Sequence, residues 1–573
     1  MTSSPRALQA ADQGPLDLGS IVEALSSRYD VVTGARQVVR RIRLDTFDRR
    51  LRAAGLTLEH EIVSSAERLV LGRLDGQATV VVSVEDPRWP ALADALPPGP
   101  ARDAIAAVTG VRALTVVSDE RRRIQRLALQ DKEGKTVARV ELDEPKSSAA
   151  RPAQVTVRAL RGYDDQARRT DRLLVGLGLR AVGQQEDRES GPAPGTPAAD
   201  REAPARVLLA AALSGFLVTM RENVPGLLDD VDTEFLHDFR VSVRRTRATL
   251  KLGRPALPEV MRSRWEPAFK WLGDLTTPVR DLDVYELDLP VMSRWLVTAD
   301  PADLAPLARH LRSRRMEELN ALVRALRSAR FRRLVSEWDE ELARLGNLPA
   351  SDLPDGDPPD GDPPDGDVPD GDVPDGDPPD GDPPDGDATD GDVPDGGLPD
   401  GDLPDGDATD DVHDDADREP LLAGELADRS ISRAYRRVAR GGALIGAGSP
   451  AGDLHELRKK CKELRYALEV FSPLVDQAAR KRAVADLKDL QDVLGRFQDC
   501  EVQRRALRGF AEEMITAASA TADPATAGAM LAMGELIGHL DVEQDRARRE
   551  FDVAFARFGR PSGLKLMHRL GGA

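Results

Sequence analysis

The chain has 573 residues, 40% of them hydrophobic and 4% aromatic, with 80 Lys and Arg against 99 Asp and Glu for a net charge of −19. That length allows two or three domains with cores of their own. No run of about 18 uninterrupted apolar residues marks a membrane span, and two cysteines are too few for a disulfide framework. Twenty-four of the acids are aspartates of residues 352–411, where there is no Lys or Arg, so the rest of the chain carries +5. The folded part is therefore mildly basic, and its partners are expected to be anionic.

Residues 1–19 read as a disordered leader without the charged-then-apolar layout of a signal peptide, so a cytoplasmic protein is expected. From 20 to 180 the pattern is mixed, with strand-like runs at Ala78–Val84, Leu114–Ser118, Ile124–Gln130 and Val155–Ala159. The stretch RRIQRLALQDKEGKTVARVELD alternates on either side of Asp131-Lys132-Glu133-Gly134, which predicts a hairpin. Residues 181–204 are rich in Pro, Gly and charge and are assigned as a linker.

Beyond 204 the periodicity is helical, in a first half over 205–350 and a second over 421–573. Between them, over 351–420, runs a Pro-Asp-Gly-Asp-X repeat with nothing apolar to bury, expected to be a disordered spacer. Its spacing is that of neither an EF-hand nor a calcium β-roll. As a tethered polyanion between basic halves it could also occupy their anion site. Deleting 352–411 would then raise affinity for an anionic ligand, most at low salt.

Two segments repeat one design. In LHDFRVSVRRTRATLKL, Leu236, Phe239, Val243, Thr246 and Leu250 recur at spacings of 3 and 4, and His237, Arg240, Arg244, Arg247 and Lys251 form the adjacent stripe. In LHELRKKCKELRYALEVF the apolar stripe is Leu454, Leu457, Cys461, Leu464 and Leu468, with His455, Arg458, Lys462 and Arg465 beside it and Lys459 next to Arg458. Cys461 and Cys500 have no metal-ligand spacing and are expected as reduced core thiols. The match continues at a constant offset of 218: Lys270, Leu272, Asp274, Asp281 and Val284 map onto Lys488, Leu490, Asp492, Asp499 and Val502. We read this as an internal duplication into two bundles related by a pseudo-two-fold axis. A lone basic helix face is more often a solvated or salt-bridged surface. Here Asp238 is the only acid between 237 and 251 and lies off the stripe. A row of cations along a helix suits a row of phosphates, with arginine offering a bidentate fork.

The segments HDFRVSVRRTRATLKL, LGDLTTPVRDLDVY, LHELRKKCKELRYALEVF and LKDLQDVLGRFQDCEV resemble the signature segments of the CHAD (conserved histidine α-helical) domain, over about 205–345 and 421–570. That resemblance implies two four-helix bundles around a basic pore or groove, binding of inorganic polyphosphate and association with polyphosphate granules. Its basic-surface roles fall on His237, Arg240, Arg244, Arg247, His455, Arg458, Lys462 and Arg465. The acidic repeat between the halves departs from the family's usual connection.

Further upstream, RRIRLDTFDRRLRAAGLTL resembles the DTxDxxLxxxGxxL strand-turn of CYTH domains, and the later hairpin is similar to a strand pair of that triphosphate tunnel fold. This implies a multidomain α+β chain, with an antiparallel barrel or tunnel over about 20–180 ahead of the helical halves. Active members carry an opening ExExK strand, which is absent here. Glu59-His60-Glu61 stand where cations belong, and VTVRALRGYD supplies Thr156 and Arg158 in place of alternating glutamates. Metal-dependent triphosphate chemistry needs carboxylates to hold the cation. The expectation is thus a non-catalytic polyphosphate binder without cofactor. The alternative is a hydrolase with a divalent cation in the tunnel domain. Arg121, Arg123 and Arg126 would remain to touch phosphates, or only to line a solvated strand. Nucleic acid is the less favoured partner, because Phe239 and Tyr466 offer little for base stacking.

Overall fold

The structure is a computed structural model and describes residues 6–10, 16–64, 66–74, 80–146, 152–181, 200–347, 421–518 and 524–559. The acidic repeat and most of the assigned linker lie outside these. The chain divides into two compact units, 1–195 and 196–573.

The first unit is an antiparallel sheet of β1 (Arg6–Ala10), β2 (Asp30–Thr33), β3 (Gln37–Asp45), β4 (Leu56–Val63), β5 (Ala66–Arg73), β6 (Val80–Val84), β7 (Thr115–Gln130), β8 (Thr136–Pro145), β9 (Gln154–Ala159) and β10 (Leu179–Ala181). The order is β10-β1-β9-β8-β7-β3-β4-β5-β6, with β2 also on β7. Helices α1 (Leu18–Ser26) and α4 (Asp164–Gly176) cover one apolar cluster around Leu25, Leu129, Val140, Val155 and Leu174. Helices α2 (Arg50–Ala53) and α3 (Pro100–Thr109) cover a second around Leu51, Leu58, Leu69 and Ile105.

Two expectations need correction. The supposed leader contains β1, which pairs with both β9 and β10, and α1 starts at Leu18. Five residues of RALQA are too short for a period-2 signal, and the strand exists through its partners. The runs at 114–118 and 124–130 are one strand, β7, because the charged SDERRR between them pairs with β3 and β8. The hairpin turn is as expected. Gly134 takes φ +75° and the Asp131 carboxylate accepts the N–H of Glu133 and Lys135 at 2.9 and 3.0 Å.

The second unit is helical: α5 (Ala205–Leu228), α6 (Thr233–Leu252), α7 (Glu259–Met292), α8 (Ala305–Leu326), α9 (Ala329–Asn347), then α10 (Ala423–Ala443), α11 (Ala451–Val470), α12 (Gln477–Ala518) and α13 (Pro524–Phe558). The duplication is a structural fact. Helices α5 and α10, α6 and α11, and α7 and α12 each begin 218 residues apart. Where the first half divides its last helix into α8 and α9, the second runs α13 unbroken. Both halves share one apolar core, with Leu209, Phe239, Trp338, Ile431, Leu464 and Leu487 all fully buried. Helix α5 is long and apolar enough to cross a membrane, by length and composition only. Its Leu209, Leu213, Leu217 and Met220 pack into that core.

The halves meet in a backbone bridge. Pro204 pairs antiparallel with Leu422; the Ala205 N–H donates to the Leu421 carbonyl, and the Ala423 N–H to the Ala203 carbonyl, both at 2.8 Å. Each bond is the other shifted by 218 residues with donor and acceptor halves exchanged, which is the signature of a local two-fold axis.

Candidate functional site

Helix α6 is started by Asp232, whose carboxylate accepts the N–H of Glu234 and Phe235 at 2.9 and 3.3 Å. Its apolar stripe is sealed in the core, as is that of α11. The neighbouring polar stripes are thereby turned onto the third helix of each half. Arg240, 6% exposed, donates to the Gly273 carbonyl at 3.3 Å and to the hydroxyls of Thr276 and Thr277 on α7. Arg247 lies against Gly273 too, where an added Cβ would come within 3.4 Å of its guanidinium. In the second half Arg458, 3% exposed, sits beside Gly495 and 3.8 Å from Asp499 on α12. Positions 495 and 499 are 277 and 281 shifted by 218, so the two halves pack this arginine alike.

Of the other stripe residues, Lys462 and His455 are buried, and His237, Arg244 and Arg247 are half-buried. Arg465 donates to Glu469 at 2.9 Å, Lys459 to Glu456 at 3.0 Å and Lys251 to Glu463 at 2.9 Å. The structure thus brings each stripe together, but inside its bundle. Only the end at Lys251 is openly exposed.

Between α6 and α11 the equivalent positions carry opposite charges. Arg245 meets Glu469 at 3.3 Å and Lys251 meets Glu463 at 2.9 Å. Position 463 is 245 shifted by 218, and 469 is 251 so shifted. Helix α6 supplies both cations of this seam and α11 both anions.

The CHAD domain family model matches residues 211–376 and 394–508. The chain carries a CHAD domain. Among solved structures it is similar to the CHAD domain from the plant Ricinus communis, at 19% identity over 62% of this chain and 93% of that one, with a TM-score of 0.42. PptA from Streptomyces chartreusis is 19% identical over 62% and 99%, with a TM-score of 0.37. A Hippeastrum protein, a candidate adenylyl cyclase described as having a dominant triphosphatase activity, is 15% identical over 30% and 84%, with a TM-score of 0.21. None of the curated proteins matches the chain.

Inside the CHAD domain several polar groups escaped the sequence reading. Arg280 of α7, 8% exposed, has Nε and Nη1 without a hydrogen-bond partner. His455, 7% exposed, has no well-formed hydrogen bond at either ring nitrogen, and the Gln498 side chain lies beside it, near enough to hold its pKa up against burial. Position 498 is 280 shifted by 218, so the exchange of Arg for Gln hid the match. Burial, then the nearby Lys459, depresses the His455 pKa, so this imidazole is neutral at physiological pH. Asp288 is pushed up to about 7 by burial and by Asp499, against the pull of Arg280. Asp283, 1% exposed, is raised to about 6 by burial even though Arg315 bonds it, and Arg315 also grips Asp230 with two bonds of 2.9 and 2.7 Å. Burial pushes both cysteine thiols up, Cys500 to about 12.

In the first unit the DTFD turn is structural. Asp45 caps α2, accepting the N–H of Thr46, Leu51 and Arg52 at 2.8, 2.9 and 3.1 Å. One face of the sheet gathers carboxylates from three strands: Glu59 and Glu61 on β4, Glu120 on β7, Glu141 and Asp143 on β8. Arg41 of β3 stands among them, bridging Glu61 at 2.8 Å, Glu141 at 3.5 Å, Glu59 at 3.8 Å and also Asp143. Arg122 holds Glu120 and Asp143, Arg68 holds Glu61, and Arg126 holds Glu141. Burial raises the Glu61 pKa, but Arg41 and Arg68 outweigh it and leave the group below its ordinary range. Among the described residues no group of three or more His, Cys, Asp or Glu is arranged to hold a metal ion.

Proposed function

We propose that the CHAD domain binds inorganic polyphosphate without turning it over, in the cytoplasm and on polyphosphate granules. The observation that supports this most is a pair of buried polar groups without well-formed hydrogen bonds, Arg280 on α7 and His455 on α11. A buried donor without an acceptor costs about 1–3 kcal/mol, and phosphate oxygens would supply the missing acceptors. The engaged cations Arg240, Arg458 and Lys462 add a positive field around them. Arg280→Gln and His455→Gln are each expected to weaken binding about tenfold, the loss of one charge-assisted hydrogen bond. The melting temperature should change little, since Arg280 has Nε and Nη1 unbonded and gives up only its pull on Asp283 and Asp288, and His455 gives up only its neighbour Gln498. Calorimetric titration with polyphosphate at several salt concentrations tests this, and unchanged affinity in both variants would count against it.

A second reading, metal-dependent tripolyphosphate hydrolysis in the first unit, is favoured by the five carboxylates on one sheet face. Against it, those acids are bonded to arginines, and a cation would have to displace Arg41 or Arg122 to reach them. Phosphate release from tripolyphosphate with magnesium or manganese, lost in Glu61→Gln, would establish the hydrolase instead.

A further inference from the structure

Helix α10 carries Arg433, Arg436, Arg437 and Arg440, all exposed, at spacings of 3, 1 and 3. These share one face over about 10 Å of helix. The acids of α10 lie at its start, Glu425 with Arg429 and Asp428 with Arg201, and none follows Asp428. Among the described residues Arg433, Arg436 and Arg440 enter no ion pair, and Arg437 pairs with Glu463 at 2.8 Å. The same Glu463 holds Lys251, so the row runs on to the exposed end of the α6 stripe.

The duplication supplies an internal control. The equivalent positions on α5 hold Gly215, Val218, Thr219 and Glu222. A helix in the same place of the other half needs no arginine there, so the fold does not require this row. The stripes of α6 and α11 are covered by neighbouring helices, whereas the α10 row is open and short of carboxylates. We propose that the α10 face is a second polyanion surface, which takes up polyphosphate from solution. This rests on the polyphosphate reading above. RNA fits less well, because Tyr435, the aromatic residue of α10, is 5% exposed and offers no base a ring to stack on.

The test is polyphosphate affinity of the full chain with Arg433→Gln, Arg436→Gln and Arg440→Gln together. A charge-matched control carries Arg324→Gln, Arg332→Gln and Arg333→Gln. All six side chains are exposed, so unchanged melting curves are expected of both. The α10 variant should bind at least thirtyfold more weakly at low salt, with a salt dependence shallower by about two to three units of slope. The control should bind like wild type. If wild type binds polyphosphate and the α10 variant binds as well, this proposal alone fails. Equal weakening in the control reduces the effect to net charge and overturns it. RNA competing at equal phosphate concentration overturns the choice of ligand. Absence of binding by wild type removes the polyphosphate reading and this surface together.

Discussion

Arg41 is held by carboxylates from two strands at once, and its removal would leave Glu61 and Asp143 buried with fewer partners. Arg41→Met is expected to lose about 3 kcal/mol of stability. Glu61, which Arg41 helps to hold below its ordinary range, would take up a proton more readily, so the loss should be larger at pH 8 than at pH 5. Urea melts at both pH values check this; an undiminished midpoint at pH 8 would mean the network contributes nothing. Asp288 works in the opposite sense. Its pKa stands near 7 in the fold against an ordinary 3.8, so between these values the folded state binds the extra proton. Its contribution to stability therefore falls as pH rises from about 4 to 7. Asp288→Asn should raise the melting temperature at pH 8 and have little effect at pH 4, measured by thermal denaturation. Which residues share a helix face was legible from spacing alone, and so His237, Arg240 and their counterparts came together. What covers that face was not, because spacing carries no information about the neighbouring helix. The carboxylates around Arg41 stayed hidden because they converge from three strands through register, not through a local motif.

Helices α6 and α11 face each other across the pseudo-two-fold axis, and two identical helices there would oppose like charges. Placing Arg245 and Lys251 on one side and Glu463 and Glu469 on the other makes the seam attractive. It also makes each half a better partner for the other than for itself. A double-mutant cycle between Lys251 and Glu463 is expected to give a coupling of about 0.5 kcal/mol that fades at high salt. Zero coupling at low salt would show the pair to be incidental. The helices were readable from their 3.6-residue period, and the duplication from its offset, although the second half was expected to start at 421 and its first helix starts at Ala423. Strands β1 and β7 were not, since one is too short and the other too polar in its middle to announce itself without its partners.

At the scale of the whole chain the duplication was evident as a constant offset. The bridge between Pro204 and Leu422 gives that offset a spatial meaning, since both halves enter the fold at one point on the axis. Replacing 352–411 by a short Gly-Ser linker should leave the melting temperature unchanged, because the shared core is built from helices on either side of it. A lowered melting temperature would give the repeat a structural role. The bridge also implies that order along the gene and order in space are separable. With equivalent starting points, the segment 421–559 could be encoded before 200–347 and still meet the same neighbours. Such a circular permutant should show wild-type helicity by circular dichroism and a cooperative melt. The helical domain would then be, in topological terms, a closed ring that the natural chain happens to open at residue 204.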